Sequence, residues 1–142
     1  MNRKQSDFPA KCKSQSWRTV VLCLWLVTGL GAAETKTLLF FGDSLTAGYG
    51  LDPDDAFPAL IQQKLAARGD SWRVVNAGLS GETTAGGLRR LDWILRQPVD
   101  IFIIELGGND GLRGIDPETS RSNLEAMIKR IRERYPSVKI VL

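Results

Sequence analysis

The sequence predicts an α/β fold: a parallel sheet with helices on both faces, arranged as a flavodoxin-like three-layer α/β/α sandwich. Three observations carry this. Short apolar runs at Leu38–Phe41, Val99–Leu106 and Val138–Leu142 alternate with stretches whose apolar residues recur every three or four positions. Near-continuous apolar runs belong to parallel strands covered on both faces, and the helical stretches are long enough to serve as crossovers. The first run stops at Gly42 and is followed in a turn by a hydroxyl, Ser44, where open α/β sheets bind ligands.

The first strand is expected at about Thr37–Phe41, with Gly42 allowing a sharp bend after it. A helix follows over about Asp55–Arg68, its inner face Phe57, Leu60, Ile61 and Leu65, with Pro58 in the first turn and Gly69 at its end. A short strand, Trp72–Val75, runs into the loop Asn76–Thr83. The next helix, Thr84–Arg96, is given an apolar face of Leu88, Leu91, Trp93, Ile94 and Leu95, with Pro98 just beyond it. Val99–Leu106 reads as the central strand and leads into Gly107-Gly108-Asn109-Asp110-Gly111. The last helix is expected over Pro117–Arg134, capped by Asp116, with Leu124, Met127, Ile128 and Ile131 inward and Glu125–Lys129 as a solvated pair. A fourth strand from Val138 reaches the last residue without turn chemistry. Sheets of this kind ordinarily continue, so the sequence is expected to stop inside its own core, with the carboxyl-terminal part of the fold missing.

Residues 1–33 combine a basic front, an apolar stretch from Val20 to Leu30 and the small residues Gly31, Ala32 and Ala33. That is the layout of a signal peptide cleaved near Ala33, which makes residues 34–142 an exported domain, periplasmic or secreted, with no stable membrane anchor. A spanning helix needs about 20 apolar residues, more than this stretch offers. Of the 19 basic and 16 acidic groups, five and one lie in residues 1–33, leaving 14 and 15 in the remainder. No basic surplus is left to argue for nucleic acid. Both cysteines, Cys12 and Cys23, also lie in that leader, so the domain has no disulfide framework.

A strand order of 2-1-3-4 would place the first strand between the second and third, and the loops of all three would meet at one edge. Ser44, Gly78 and Asn109 each follow one of these strands. A serine there serves equally to cap a helix, a glycine to make a turn and an asparagine to brace its own loop. Together they form a set that acyl transfer requires: a hydroxyl nucleophile, with the amides of Ser44 and Gly78 and the Asn109 carboxamide aimed at the developing oxyanion.

Gly42-Asp43-Ser44-Leu45, Asn76-Ala77-Gly78 and Gly107-Gly108-Asn109-Asp110 resemble the first three sequence blocks of the GDSL, or SGNH, hydrolase family, over about Thr37 to Leu142. The longer wording of the first and third blocks is similar to its exported bacterial branch of thioesterases, lysophospholipases and arylesterases. The resemblance implies the SGNH hydrolase fold, Ser44 as nucleophile and Gly78 and Asn109 as oxyanion-hole donors. It also implies a small acyl ester, thioester or lysophospholipid substrate and no cofactor or metal. The family's fourth block, Asp-x-x-His, supplies the general base, and this chain contains no histidine. An oxyanion hole does not deprotonate a serine, and Asp43 and Asp110 are expected to brace their own loops. The chain as written is therefore expected to be inactive. A non-catalytic acyl- or anion-binding module of the same fold is the alternative, and a receiver-type domain with Asp43 as phosphoacceptor ranks last.

Overall fold

The computed structural model describes residues 35–142; the expected signal peptide and its cleavage site lie outside the described residues. Four strands, β1 (Lys36–Gly42), β2 (Trp72–Asn76), β3 (Ile101–Glu105) and β4 (Lys139–Val141), form one sheet in the order β2-β1-β3-β4. Every pairing is parallel, with Leu38 opposite both Val74 and Ile101. The predicted order therefore holds, and β1 and β3 are central.

Alternation along β1 sorts its side chains between two layers. Leu39 and Phe41 enter a core with Phe102 and Ile104 of β3, Leu91 and Ile94 of α3 (Thr84–Ile94), and Met127 and Ile131 of α5 (Pro117–Arg134). Burying each such side chain stabilises the fold by about 1.5–3 kcal/mol. Phe40 faces the other way and meets Phe57 of α2 (Phe57–Ala67) edge-on, with ring centroids 5.2 Å apart. Helices thus cover both faces, giving the three layers.

α5 has the expected bounds, and Asp116 caps it by accepting from the Glu118 N–H at 3.1 Å. Other expectations are corrected. The first long helix begins at Phe57, because Ala56 is buried in an extended conformation beneath Gly48 and interrupts it; Pro53–Asp55 forms a separate 3-10 turn. On α2, Phe57 and Leu60 keep part of their surface in solvent, since the helix lies over the edge strand β2. Trp93 is 66% exposed. It stands two residues after Leu91, which on a helix is about 200° round from the buried stripe. Glu125 and Lys129 are both exposed to solvent, as expected, but each has another partner: Arg121 Nε lies 3.0 Å from Glu125 and Lys129 lies 4.0 Å from Glu133.

The outer edge of β4 has no strand partner among the described residues, and Val141 and Leu142 remain 49% and 72% exposed. An open apolar edge is a template for pairing between chains. The 142-residue polypeptide is expected to elute from a sizing column as oligomers or aggregate, and a monodisperse monomer would contradict this.

Candidate active site

β1, β2 and β3 each end in a loop at the same edge of the sheet. After β1, Asp43 caps the one-turn helix α1 (Ser44–Ala47), its Oδ1 accepting from the Leu45 N–H at 3.0 Å. Ser44 is therefore the first helical residue rather than the cap. Gly42 does not have the left-handed backbone that a sharp bend would demand. It is small for another reason: Thr46 Oγ1 donates to Glu105 Oε2 at 2.8 Å across it, and a Cβ on Gly42 would lie 2.1 Å from that hydroxyl. The buried Thr46 thus ties the serine's turn to the end of β3.

Gly78 lies two residues beyond β2. A Cβ there would fall 2.2 Å from the Ala47 backbone nitrogen, so only glycine lets this loop lie against α1. Its N–H donates to Asn76 Oδ1 at 2.9 Å, and the next amide, Leu79, donates to the Gly42 carbonyl at 3.0 Å. Asn109 is the second residue of the short helix α4 (Gly108–Leu112) after β3. Its Nδ2 donates to Asp43 Oδ2 at 3.0 Å, leaving a second N–H on that nitrogen for another acceptor. Asp43 thus does more than brace its own loop: its buried carboxylate joins the serine's turn to the Asn109 helix.

Asp110 likewise reaches beyond its loop. It accepts from the Thr84 N–H at 2.8 Å, the Thr84 hydroxyl at 2.6 Å and the Ser120 hydroxyl at 3.0 Å, which locks α4 to α3 and α5. Burial alone would raise the pKa of this carboxyl, but the hydrogen bonds from Thr84 and Ser120 outweigh it and hold the pKa below its ordinary value.

Sequence reasoning missed Arg90, which donates from Nη2 to the Ala77 carbonyl at 2.8 Å and the Gly42 carbonyl at 3.4 Å and pairs through Nε with Glu82. Its signal was present in Gly86 and Gly87, two glycines in the first turn of a helix, where each costs about 0.5–1 kcal/mol relative to alanine. Such a pair marks a close approach of the helix to something. Among the described residues no cluster of three or more His, Cys, Asp or Glu is placed to hold a metal ion, and no helix is long and apolar enough to cross a membrane.

A model of the GDSL-like lipase/acylhydrolase family matches residues 40–142. The chain is 47% identical over 120 residues to the esterase TesA of Pseudomonas aeruginosa, covering 84% of this chain and 60% of that protein. It is 40% identical over 117 residues to the thioesterase 1/protease 1/lysophospholipase L1 of Escherichia coli K12, covering 82% and 54%. A crystal structure of TesA superposes with a TM-score of 0.70 at 45% identity, covering 74% of this chain and 58% of that one. The SGNH-hydrolase family esterase AlinE4 gives 0.69 at 44%, covering 75% and 57%. The chain thus spans a little over half the length of these relatives. With the family model matching residues 40–142, most of the chain, the chain belongs to the GDSL-like lipase/acylhydrolase family.

Proposed function

We propose that this chain carries the nucleophile and oxyanion-binding half of a serine esterase or thioesterase that works through an acyl-enzyme on Ser44. The observation that carries the reading is the Asp43–Asn109 hydrogen bond, because it fixes a carboxamide beside the residue that precedes the serine. In the proposed reaction Ser44 Oγ attacks the acyl carbonyl carbon as a base takes its proton. The oxyanion forms against the Ser44 and Gly78 amides and the second N–H of Asn109, and the alcohol or thiol leaves with a proton. Water then attacks the acyl-serine by the same route and releases the acid. Because the Gly78 N–H donates to Asn76, the oxyanion must share or displace that side chain.

Exposed Leu45, Tyr49, Leu79 and Leu112 stand on the three loops and suit an acyl substrate. Esters, thioesters and lysophospholipids are the classes suggested by the names of the two relatives. An apolar leader following a basic front supports export to the periplasm or beyond. No cofactor enters the proposed reaction. Genuine absence of a histidine base from the whole protein would favour a second reading, in which the same cradle binds an acyl group or anion without turnover.

A fluorophosphonate probe tests the nucleophile. With imidazole added as a diffusible base, mass spectrometry of the 142-residue chain is expected to find the phosphonyl group on the peptide bearing Ser44, with no labelling in Ser44→Ala. Binding of a long-chain acyl analogue without any labelling would support the binding-module reading instead.

A further inference from the structure

We propose that Arg90 is a positioning residue of this site, orienting and polarising the peptide group whose N–H is the Gly78 oxyanion donor. The proposal rests on the hydrolase reading above. Its basis is one covalent fact: the Ala77 carbonyl and the Gly78 N–H belong to the same planar peptide. Arg90 Nη2 donates to that carbonyl at 2.8 Å. In a trans peptide the N–H points opposite to the C=O, so a donor fixed on the carbonyl sets the direction of the N–H. A charged donor on the carbonyl also draws electron density from the amide nitrogen and strengthens its N–H as a donor.

The same nitrogen lies 3.4 Å from the Gly42 carbonyl, which also accepts the Leu79 N–H at 3.0 Å. Arg90 therefore spans the end of the strand leading to Ser44 and the loop carrying Gly78. The guanidinium is itself held by two further contacts. Nε pairs with Glu82, the two side chains being 22% and 7% exposed, and the guanidinium carbon lies 4.2 Å from the centre of the Phe41 ring. The two helix glycines make room for this arrangement. A Cβ on Gly86 would lie 2.0 Å from Glu82 Oε1, and one on Gly87 would lie 2.7 Å from Leu106 and 3.1 Å from Phe41. Lysine has a point charge and no planar fork, and cannot serve Glu82 and both carbonyls from one fixed plane.

The test uses the full 142-residue chain and the variants Arg90→Lys and Arg90→Met, with two measurements. Amide hydrogen exchange is expected to accelerate at least tenfold at Gly78 and Leu79 in both variants, while the β3 amides Phe102 and Ile104 change less than twofold. Uniform acceleration across the sheet, or none at Gly78, would overturn the proposal by making Arg90 a general brace or irrelevant. In the second, imidazole-assisted fluorophosphonate labelling of Ser44 is expected to fall about 10- to 100-fold in maximal rate in Arg90→Lys, less than the roughly 10²–10³ for outright loss of an oxyanion donor. The half-saturating probe concentration should stay within about twofold. Unchanged maximal labelling with the local exchange effect present would overturn the proposal alone. No labelling of the unaltered chain would overturn the hydrolase reading, and with it any role for Arg90 in positioning an oxyanion donor.

Discussion

A chimera joining these 142 residues to a carboxyl-terminal segment that carries the Asp-x-x-His block implied by the family resemblance is expected to exceed the 142-residue chain in p-nitrophenyl ester turnover by about four powers of ten. Serine hydroxyls are almost wholly protonated at neutral pH, and this chain has no histidine to accept the proton. Loss of the positioned base in comparable serine enzymes costs on the order of 10⁴ or more in rate, about 5 kcal/mol of barrier, leaving only what the oxyanion hole and binding provide. Ser44→Ala in the chimera should abolish turnover. Asn109→Ala should raise the barrier by about 2.7–4 kcal/mol if its free N–H meets the oxyanion. Comparing circular-dichroism melts of the variants separates loss of chemistry from loss of fold. Equal turnover by chimera and chain, both sensitive to Ser44→Ala, would show that a base lies within these residues. Turnover that survives Ser44→Ala would dismiss the nucleophile.

Asp110→Ala should be the most damaging single change to the fold at this edge. Asp110 is 2% exposed and accepts three hydrogen bonds, two of them from the fully buried Thr84. Bonds to a charged acceptor contribute about 1.5–3 kcal/mol each, and a buried donor left without a partner costs a further 1–3 kcal/mol. Discounted for overlap, the loss should reach at least about 3 kcal/mol in a urea melt, and should exceed that of Asp110→Asn. Acid should erode the same contribution. The folded pKa lies below the ordinary 3.8, so stabilisation from this group is complete above that value and disappears as pH falls through the folded pKa. In the alanine variant this part of the acid loss should vanish. A melt unchanged by Asp110→Ala would mean that α4 is held by packing alone. Because Asn109 precedes Asp110, loosening this anchor should also slow Ser44 labelling.

The architecture was legible in the sequence because it rests on local rules. Apolar runs such as Leu38–Phe41 have only one economical home, a strand covered on both faces, and Asp116-Pro117 marks the start of α5 by capping and by a missing N–H that a first turn does not need. Ser44, Gly78 and Asn109 were legible for the same reason: residues that follow parallel strands are delivered to one edge by topology alone. Local rules failed where a long-range partner decided. Trp93 lies in an apolar stretch, yet it faces solvent because the direction of the α3 stripe is set by where β1 and α5 lie. Ala56 breaks a helix that its own sequence would continue, because Gly48 packs onto it.

The amino-acid order by itself determined that three strand ends would present a hydroxyl, a glycine amide and a carboxamide together, and that no histidine would stand among them. Only the tertiary structure decided what holds those groups in place. Asp43 joins Asn109 across 66 residues of sequence, Thr46 reaches Glu105 across 59, and Arg90 reaches the Gly42 carbonyl across 48. Spacing along the chain carries no sign of such contacts, because each depends on which two side chains the sheet order sets face to face, and on glycines small enough to let them meet.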